Sequence, residues 1–176
     1  MSNNKTCCFT GYRPQKLPFG FDEDDIRCKM LKQILRKDII HMIEDFGVTH
    51  FISGMALGVD TFAAEIVLEM KAKYPQVQLE CAIPHETQSK HWPELSRNRF
   101  FDLVSRCDTE TLLQTQYTTD CHQRRNRYMV DQSDYVIAVW DGQAGGTEST
   151  VRYARKCKKN VLVINPRELT KTKAYA

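Results

Sequence analysis

No long apolar run occurs in this sequence, and that absence excludes several classes of protein. None of its apolar segments approaches the roughly 18 residues that span a membrane, and no apolar signal-peptide segment follows the polar residues 1–5. Strong charge is missing as well: the net charge is only +3, whereas proteins that bind nucleic acid non-specifically usually carry a large basic excess. We therefore expect a cytoplasmic protein with no membrane partner, for which nucleic acid is an allowed but not a favoured partner.

Clustered metal ligands are also absent. The seven cysteines include no Cys-x-x-Cys pair and are scattered through the predicted strands and helices. This distribution is typical of reduced, buried thiols. The candidate metal ligands are His122, which follows Cys121, and the pair His85 and His91, and their spacing predicts no metal site.

Short apolar segments alternate with amphipathic segments along the whole chain. Predicted strands cover residues 5–9, 48–52, 77–83, 109–113, 134–140 and 161–164. The first predicted helix runs from about residue 26 to 46, and the second begins at 60. The third ends near residue 105, the fourth covers 120–132 and the fifth ends near 157. The alternation predicts one Rossmann-like, three-layer α/β/α domain over residues 1–176, with a mostly parallel sheet of about six strands.

Glycine is scarce but is placed where a ligand would bind. Only eight glycines occur, and six lie in three loops that follow predicted strands: Gly11, Gly54, Gly58, Gly142, Gly145 and Gly146. In a parallel sheet such loops meet at the carboxyl edge, where helix N-termini offer free amides to phosphate. The loops lack the Gly-x-Gly-x-x-Gly fingerprint, so a conventional NAD site is not expected and no cofactor is assigned.

Two of these loops carry further candidate contacts. Ser53 is expected either to donate to a phosphate or ribose oxygen or to close its own turn. Asp60 is expected to cap the helix that follows, to contact the ligand, or both. Gly145, Gly146 and Thr147 are expected to begin the last helix and to form an anion-binding group of amides; the alternative is a flexible surface turn.

The loop after the first strand contributes Thr10, Gly11 and Arg13. Arg13, beside a proline, is suited to a bidentate phosphate contact, and the alternative is a solvated arginine. Two residues of an outer segment, Gln88 and Trp92, are candidates for binding a base, with a core or lid role for Trp92 as the alternative.

Three arginines surround Asn126 at the start of the predicted helix 120–132. Most charge runs on helices face solvent, so we expect about two of the three to do so. Arg125 and Asn126 are the candidate ligand contacts of this segment.

Taken together, these segments resemble the YpsA-like family of the SLOG superfamily of Rossmann-like proteins. The matching segments are CCFTGYRPQKL at 7–17, ISGMALGVDTFAAE at 52–65, AIPHETQSKHW at 82–92 and RNRYMVDQSDYVIAVWDGQAGGT at 125–147. The resemblance implies a nucleotide-derived ligand at the loops named above. It extends to DprA-like proteins, which bind single-stranded DNA, and to LOG-type phosphoribohydrolases. In the LOG-type loop a glutamate lies three residues after the threonine, whereas this chain has Thr150 there and its Glu148 lies elsewhere on the helix.

The leading hypothesis is a binding or sensor domain for a nucleoside phosphate or an ADP-ribose derivative. One alternative is a nucleotide N-glycosidase, for which Glu65 and Asp141 are the candidate catalytic residues; Asp141 is also a candidate ligand contact. Another is a DprA-like binder of single-stranded DNA or a protein-interaction module. The sequence allows self-association as a homo-oligomer. It does not decide between an enzyme and a sensor.

Overall fold

The computed structural model describes residues 4–174, and these form seven strands and five α-helices. The strands are β1 (Lys5–Gly11), β2 (Val48–Ser53), β3 (Gln78–Ile83), β4 (Thr109–Leu112), β5 (Tyr135–Val139), β6 (Asn160–Asn165) and β7 (Thr170–Ala174). The helices are α1 (Ile26–Glu44), α2 (Val59–Met70), α3 (Glu94–Arg106), α4 (Cys121–Asp131) and α5 (Gly146–Lys156). A short 3₁₀ helix, Pro14–Lys16, follows β1. None of the helices in this part of the chain is long and apolar enough to cross a membrane.

The strands form one sheet in the order β4-β3-β2-β1-β5-β6-β7. The strands β1 to β6 are parallel, and β7 is antiparallel to β6. The chain builds outward from β1 to β4 and then returns to add β5 on the other side of β1. Because parallel crossovers are right-handed, this reversal puts α1 to α3 on one face and α4 and α5 on the other. The carboxyl ends of β1 and β5 therefore form a topological switch point, where ligands of such sheets bind.

Each face of the sheet has its own core. One cluster joins α1, α2 and α3 to the sheet, and includes Phe9 and Phe51, whose rings stack with centroids 5.9 Å apart. The other joins α4 and α5 to the opposite face and includes Met129 and Val151. Burying one such side chain contributes roughly 1.5–3 kcal/mol, so both faces stabilise the sheet that positions the loops.

The local signals in the sequence explain most element boundaries. The Asp25 side chain accepts from the backbone N–H of Arg27 at 2.8 Å and so caps α1. Gly47 follows the end of that helix with a φ of +69°, which glycine adopts without strain. The α/β class, the single Rossmann-like layer arrangement and the six parallel strands are confirmed.

Two local expectations were wrong. The strand β7 was not predicted, because its residues are polar and it lies at the sheet edge, where an apolar pattern is not required and lysines are common. Asp60 does not cap α2: the helix begins at Val59 with Gly58 as its N-cap residue. The Asp60 carboxylate instead accepts from the backbone N–H of Ala56 at 3.3 Å and so closes the preceding turn.

Candidate functional site

A cavity of about 390 Å³ lies at the switch point. It is enclosed by the loop after β1, the turn before α2, the first turns of α4 and the start of α5. Eight residues that the sequence suggested line it: Thr10, Gly11, Arg13, Asp60, Arg125, Asn126, Gly146 and Thr147. Six others line it as well: Phe9, Tyr12, Gln15, Lys16, Ala56 and His122. The structure thus brings the three glycine-bearing loops to one hollow.

Positive charge predominates in this cavity. Its lining contains Arg13, Lys16 and Arg125, against the single carboxylate of Asp60. Arg13 is exposed, and within residues 4–174 its side chain makes no hydrogen bond or ion pair. The Lys16 ammonium donates to the carbonyl oxygen of Ala144 at 3.0 Å, which places it beside the glycine loop that precedes α5. An anionic group in this hollow would therefore find cations on two sides.

Arg125 is the buried cation of the site, with only 3% of its surface exposed. Its guanidinium donates to the carbonyl oxygen of Gly54, to that of Ala82 at 3.4 Å and to the Asn126 side-chain oxygen at 2.9 Å. Burial lowers the pKa of Arg125, but the guanidinium stays charged at neutral pH. Arg124 and Arg127 are exposed, in agreement with the expectation that about two of the three arginines face solvent.

Asp60 is the counter-charge to Arg125. Burial raises the pKa of the Asp60 carboxyl, while the charge of Arg125 and the hydrogen bond from Ala56 act in the opposite direction. The Ser53 hydroxyl donates to the backbone carbonyl of Asp60 at 2.8 Å and accepts from the N–H of Met55 at 3.2 Å. Ser53 therefore closes the turn, and it does not line the cavity.

The N-terminus of α5 is open toward the cavity. Its N-cap residue is Gly145, which has no side chain to accept from the first-turn amides. Gly146 and Thr147 follow and line the hollow. The uncapped amides and the helix dipole together provide a partial positive charge that suits phosphate.

Gly54 and Gly58 serve internal packing. A side-chain carbon at position 54 would overlap the guanidinium of Arg125. At position 58 it would lie 2.6 Å from the carbonyl oxygen of Tyr12, and Gly58 has a φ of +89°. These glycines bring α4 and the β1 loop against the turn before α2, and neither lines the cavity.

Gln88 and Trp92 lie outside the cavity lining. Gln88 is buried and its amide donates to the carbonyl oxygen of Gly54 at 3.3 Å. Trp92 is half-buried and packs edge-on against Phe100, with ring centroids 5.5 Å apart. Trp92 therefore packs in the core, which is the alternative that the sequence analysis gave to base binding.

The two candidate catalytic carboxylates are both engaged elsewhere. Glu65 forms two hydrogen bonds with Arg99, at 2.6 and 2.7 Å, outside the cavity lining. Asp141 accepts from the Tyr12 hydroxyl, from Arg167 at 2.7 Å and from the N–H of Gln143 at 3.2 Å. Although burial favours its neutral form, hydrogen bonds from Tyr12 and Arg167 hold the pKa of Asp141 below its ordinary value.

Comparison with known proteins decides the family. The family model described as the YspA SLOG family, named YpsA, matches residues 7–169. The chain belongs to the YpsA family of SLOG proteins. A UPF0398 protein of Bacillus cereus is 28% identical over 160 residues, which cover 89% of this chain and 85% of that protein. A UPF0398 protein of Bacillus thuringiensis matches with the same identity and coverage.

Two solved structures share the fold of this YpsA-family chain. DNA processing protein A (DprA) of Streptococcus pneumoniae superposes with a TM-score of 0.61 at 15% identity. DprA of Helicobacter pylori, described for its single-stranded DNA binding mode, superposes with a TM-score of 0.58 at 19% identity. Each match covers 92% of this chain, which spans 50% of the pneumococcal chain and 65% of the Helicobacter chain.

One position distinguishes this YpsA-family site from the LOG-type loop to which the sequence is similar. The Thr150 hydroxyl donates to the carbonyl oxygen of Gly146 at 2.9 Å and accepts from the Asn126 amide at 3.1 Å. Glu148, the nearest carboxylate on α5, faces Arg152 at 3.8 Å and does not line the cavity. Thr150 thus holds α4 against α5 at the position where a LOG-type loop has glutamate.

A group of potential metal ligands adjoins the cavity. Donor atoms of His85, Cys121 and His122 lie within 4.8 Å of one another, and the buried Nδ1 of His122 has no hydrogen-bond partner among the described residues. The sequence offered these residues as candidate metal ligands but paired His85 with His91, because His85 is distant from the other two along the chain. Burial, with the nearby charges of Arg125 and Arg13, lowers the pKa of His122 to about 4. The same positive charges oppose binding of a cation here.

Proposed function

We propose that this protein binds a phosphate-containing, nucleotide-like ligand, a nucleoside phosphate or an ADP-ribose derivative, at the carboxyl edge of its sheet. The observation that carries the proposal is the excess of positive charge in the switch-point cavity, with Arg13, Lys16 and Arg125 facing one carboxylate. Membership of the SLOG family and the DprA-like fold support a nucleotide- or DNA-related role.

The phosphate is assigned to the start of α5. The amides of Gly146 and Thr147 are uncapped there, and a helix N-terminus stabilises a nearby anion by about 0.3–1 kcal/mol or more when partly buried. Arg13 also lines the hollow, is exposed and has no hydrogen-bond or ion-pair partner among the described residues, so it is free to turn toward the ligand. Arg–phosphate hydrogen bonds are charge-assisted and often bidentate.

Binding is favoured over hydrolysis by the state of the two candidate catalytic carboxylates, Asp141 and Glu65. A general base must accept a proton from a water beside the sugar, and it needs a free lone pair within reach. Asp141 accepts three hydrogen bonds from protein groups, and Glu65 is paired with Arg99 outside the cavity.

We assign the protein to the cytoplasm, where its seven free cysteines stay reduced.

Titration calorimetry with AMP, ADP and ADP-ribose tests the proposal. We expect the wild type to bind at least one of them and Gly146→Asp to weaken that binding about tenfold or more, or about 1.4 kcal/mol. Gly146→Ala separates the effect of the added charge from that of the added carbon, because the carbon meets no protein atom within 4 Å, and we expect it to bind more tightly than Gly146→Asp. The proposal fails if the wild type binds none of the three, or if Gly146→Asp binds as tightly as the wild type.

A further inference from the structure

A second cavity, of about 590 Å³, adjoins the first. The two share His122, Asn126 and Gly146, and the second extends from this boundary along α4 and α5. Each volume lies within the range of roughly 300–1,000 Å³ that holds one small ligand. A ligand bound at the start of α5 therefore has a second space beside it.

The second cavity is basic. Its lining includes Arg127, Arg152 and Lys156 and contains no Asp or Glu. Arg152 is exposed and approaches Glu148 only to 3.8 Å, a separation at which a surface pair contributes about 0–1 kcal/mol. Within residues 4–174, Lys156 has no ion pair. These cations are therefore available to an anionic group of a ligand.

An aromatic ring accompanies the cations. Tyr153 lines the cavity, its hydroxyl donates to Asp131 at 2.8 Å, and the Arg127 guanidinium lies 5.6 Å from its ring centroid. The hydrogen bond to Asp131 fixes the ring in place. Arg127 therefore lies over the ring, and because Arg127 is exposed its guanidinium plane offers a base a surface on which to stack beside the other cations.

The boundary between the two cavities is ordered but open. The Asn126 amide donates to the Thr150 hydroxyl at 3.1 Å, and that hydroxyl donates to the carbonyl oxygen of Gly146 at 2.9 Å, so the spacing of α4 and α5 is fixed there. Gly146 has no side chain, and the space beside it is empty. A ligand can thus pass from one cavity to the other over Gly146.

We propose that the second cavity binds the second half of a ligand built from two sugar-phosphate units. One phosphate lies at the amides of Gly146 and Thr147, and the next phosphate and its sugar or base extend toward Arg127 and Lys156. The inference rests on the proposed function and narrows its ligand class, because a nucleoside monophosphate would leave the second cavity unused. The link between the units is either a pyrophosphate, as in ADP-ribose, or a phosphodiester, as in a short single strand.

Affinities of the full chain for AMP, ADP-ribose and a 5′-phosphorylated thymidine trinucleotide test the inference. We expect ADP-ribose or the trinucleotide to bind about tenfold or more tightly than AMP, or about 1.4 kcal/mol. Tighter binding of ADP-ribose alone identifies the pyrophosphate link, and tighter binding of the trinucleotide alone identifies the phosphodiester link. Either result supports the inference.

The double variant Arg127→Gln/Lys156→Gln tests whether the second cavity provides the higher affinity for the longer ligands. It should lose most of that advantage and bind AMP within about twofold of the wild type, because the AMP phosphate lies at α5. The control Arg124→Gln/Arg155→Gln removes the same charge from the same two helices at positions that line neither cavity, and it should bind like the wild type.

Four results would overturn the inference. Equal affinity for AMP and both longer ligands would do so while leaving the proposed function intact. An unchanged advantage in Arg127→Gln/Lys156→Gln, or an equal loss in the control, would show that the second cavity does not bind the ligand. Absence of binding to all three compounds would remove the proposed function together with the inference.

Discussion

The guanidinium of Arg125 donates to the carbonyl oxygen of Gly54 and fills the space that a side chain at position 54 would occupy. A residue of α4 is thereby locked against the turn before α2, across the carboxyl edge of the sheet. The contact holds a buried cation beside the cavity, with Asp60 as its counter-charge. The guanidinium of Arg125 thus provides positive charge at the site and is also a packing contact within the domain.

Gly54→Ala should destabilise the protein by about 1–3 kcal/mol, since the added carbon overlaps a guanidinium that is buried and hydrogen-bonded. Urea unfolding followed by circular dichroism measures the change. Gly146→Ala, where the added carbon has open space, should cost nothing and is the control. A Gly54→Ala variant as stable as the wild type would show that Arg125 readily vacates this position.

Acidification should weaken the fold through His122. Its folded-state pKa of about 4 lies below its ordinary value of 6.5. The native state therefore binds fewer protons than the unfolded state, and the stabilisation, complete above pH 6.5, is lost as pH falls toward 4. Urea unfolding at pH 7 and pH 5 should show a smaller pH dependence for His122→Gln than for the wild type. Equal pH dependence of the two proteins would contradict the assignment.

Tyr12→Phe should destabilise the protein by about 1.5–3 kcal/mol, because it removes a hydrogen bond to the charged carboxylate of Asp141. Burial and the hydrogen bond to Asp141 raise the pKa of Tyr12 to about 12. Spectrophotometric titration should therefore lose one late-titrating tyrosine in the variant. Unfolding curves of wild type and variant that coincide at pH 7 would argue against this contact.

Glu65→Gln distinguishes a binding site from a glycosidase site. Glu65 pairs with Arg99 away from the cavity, so the change should cost about 1 kcal/mol of stability or less and alter nucleotide affinity by less than about twofold. Unfolding and calorimetry measure the two effects. Release of free base from AMP by the wild type, abolished in Glu65→Gln, would establish the enzymatic alternative instead.

The sequence predicted the layers of this fold because buried parallel strands are short apolar runs and their helices are amphipathic. It did not predict β7, whose polar residues carry no such signal, nor the start of α2 at Val59, where glycine rather than Asp60 precedes the helix. Boundaries of this kind depend on backbone geometry and on edge pairing, which a hydrophobic pattern does not encode.

The candidate site was predictable in outline for a different reason. Loops after parallel strands share one edge, so the convergence of Gly11, Asp60 and Gly146 follows from topology. Packing then separates residues that look alike in sequence: Gly54 receives Arg125, while Gly146 faces open space. Lys16 was not indicated and His122 was considered only as a metal ligand, because only the folded chain places them in the lining.

The most direct test of the phosphate site is backbone amide chemical-shift mapping of the ¹⁵N-labelled protein during a titration with ADP-ribose. We expect the largest shifts at Gly146 and Thr147, with smaller ones in the loop that carries Arg13. Absence of shifts at saturating ligand, or shifts concentrated on another surface, would contradict the account.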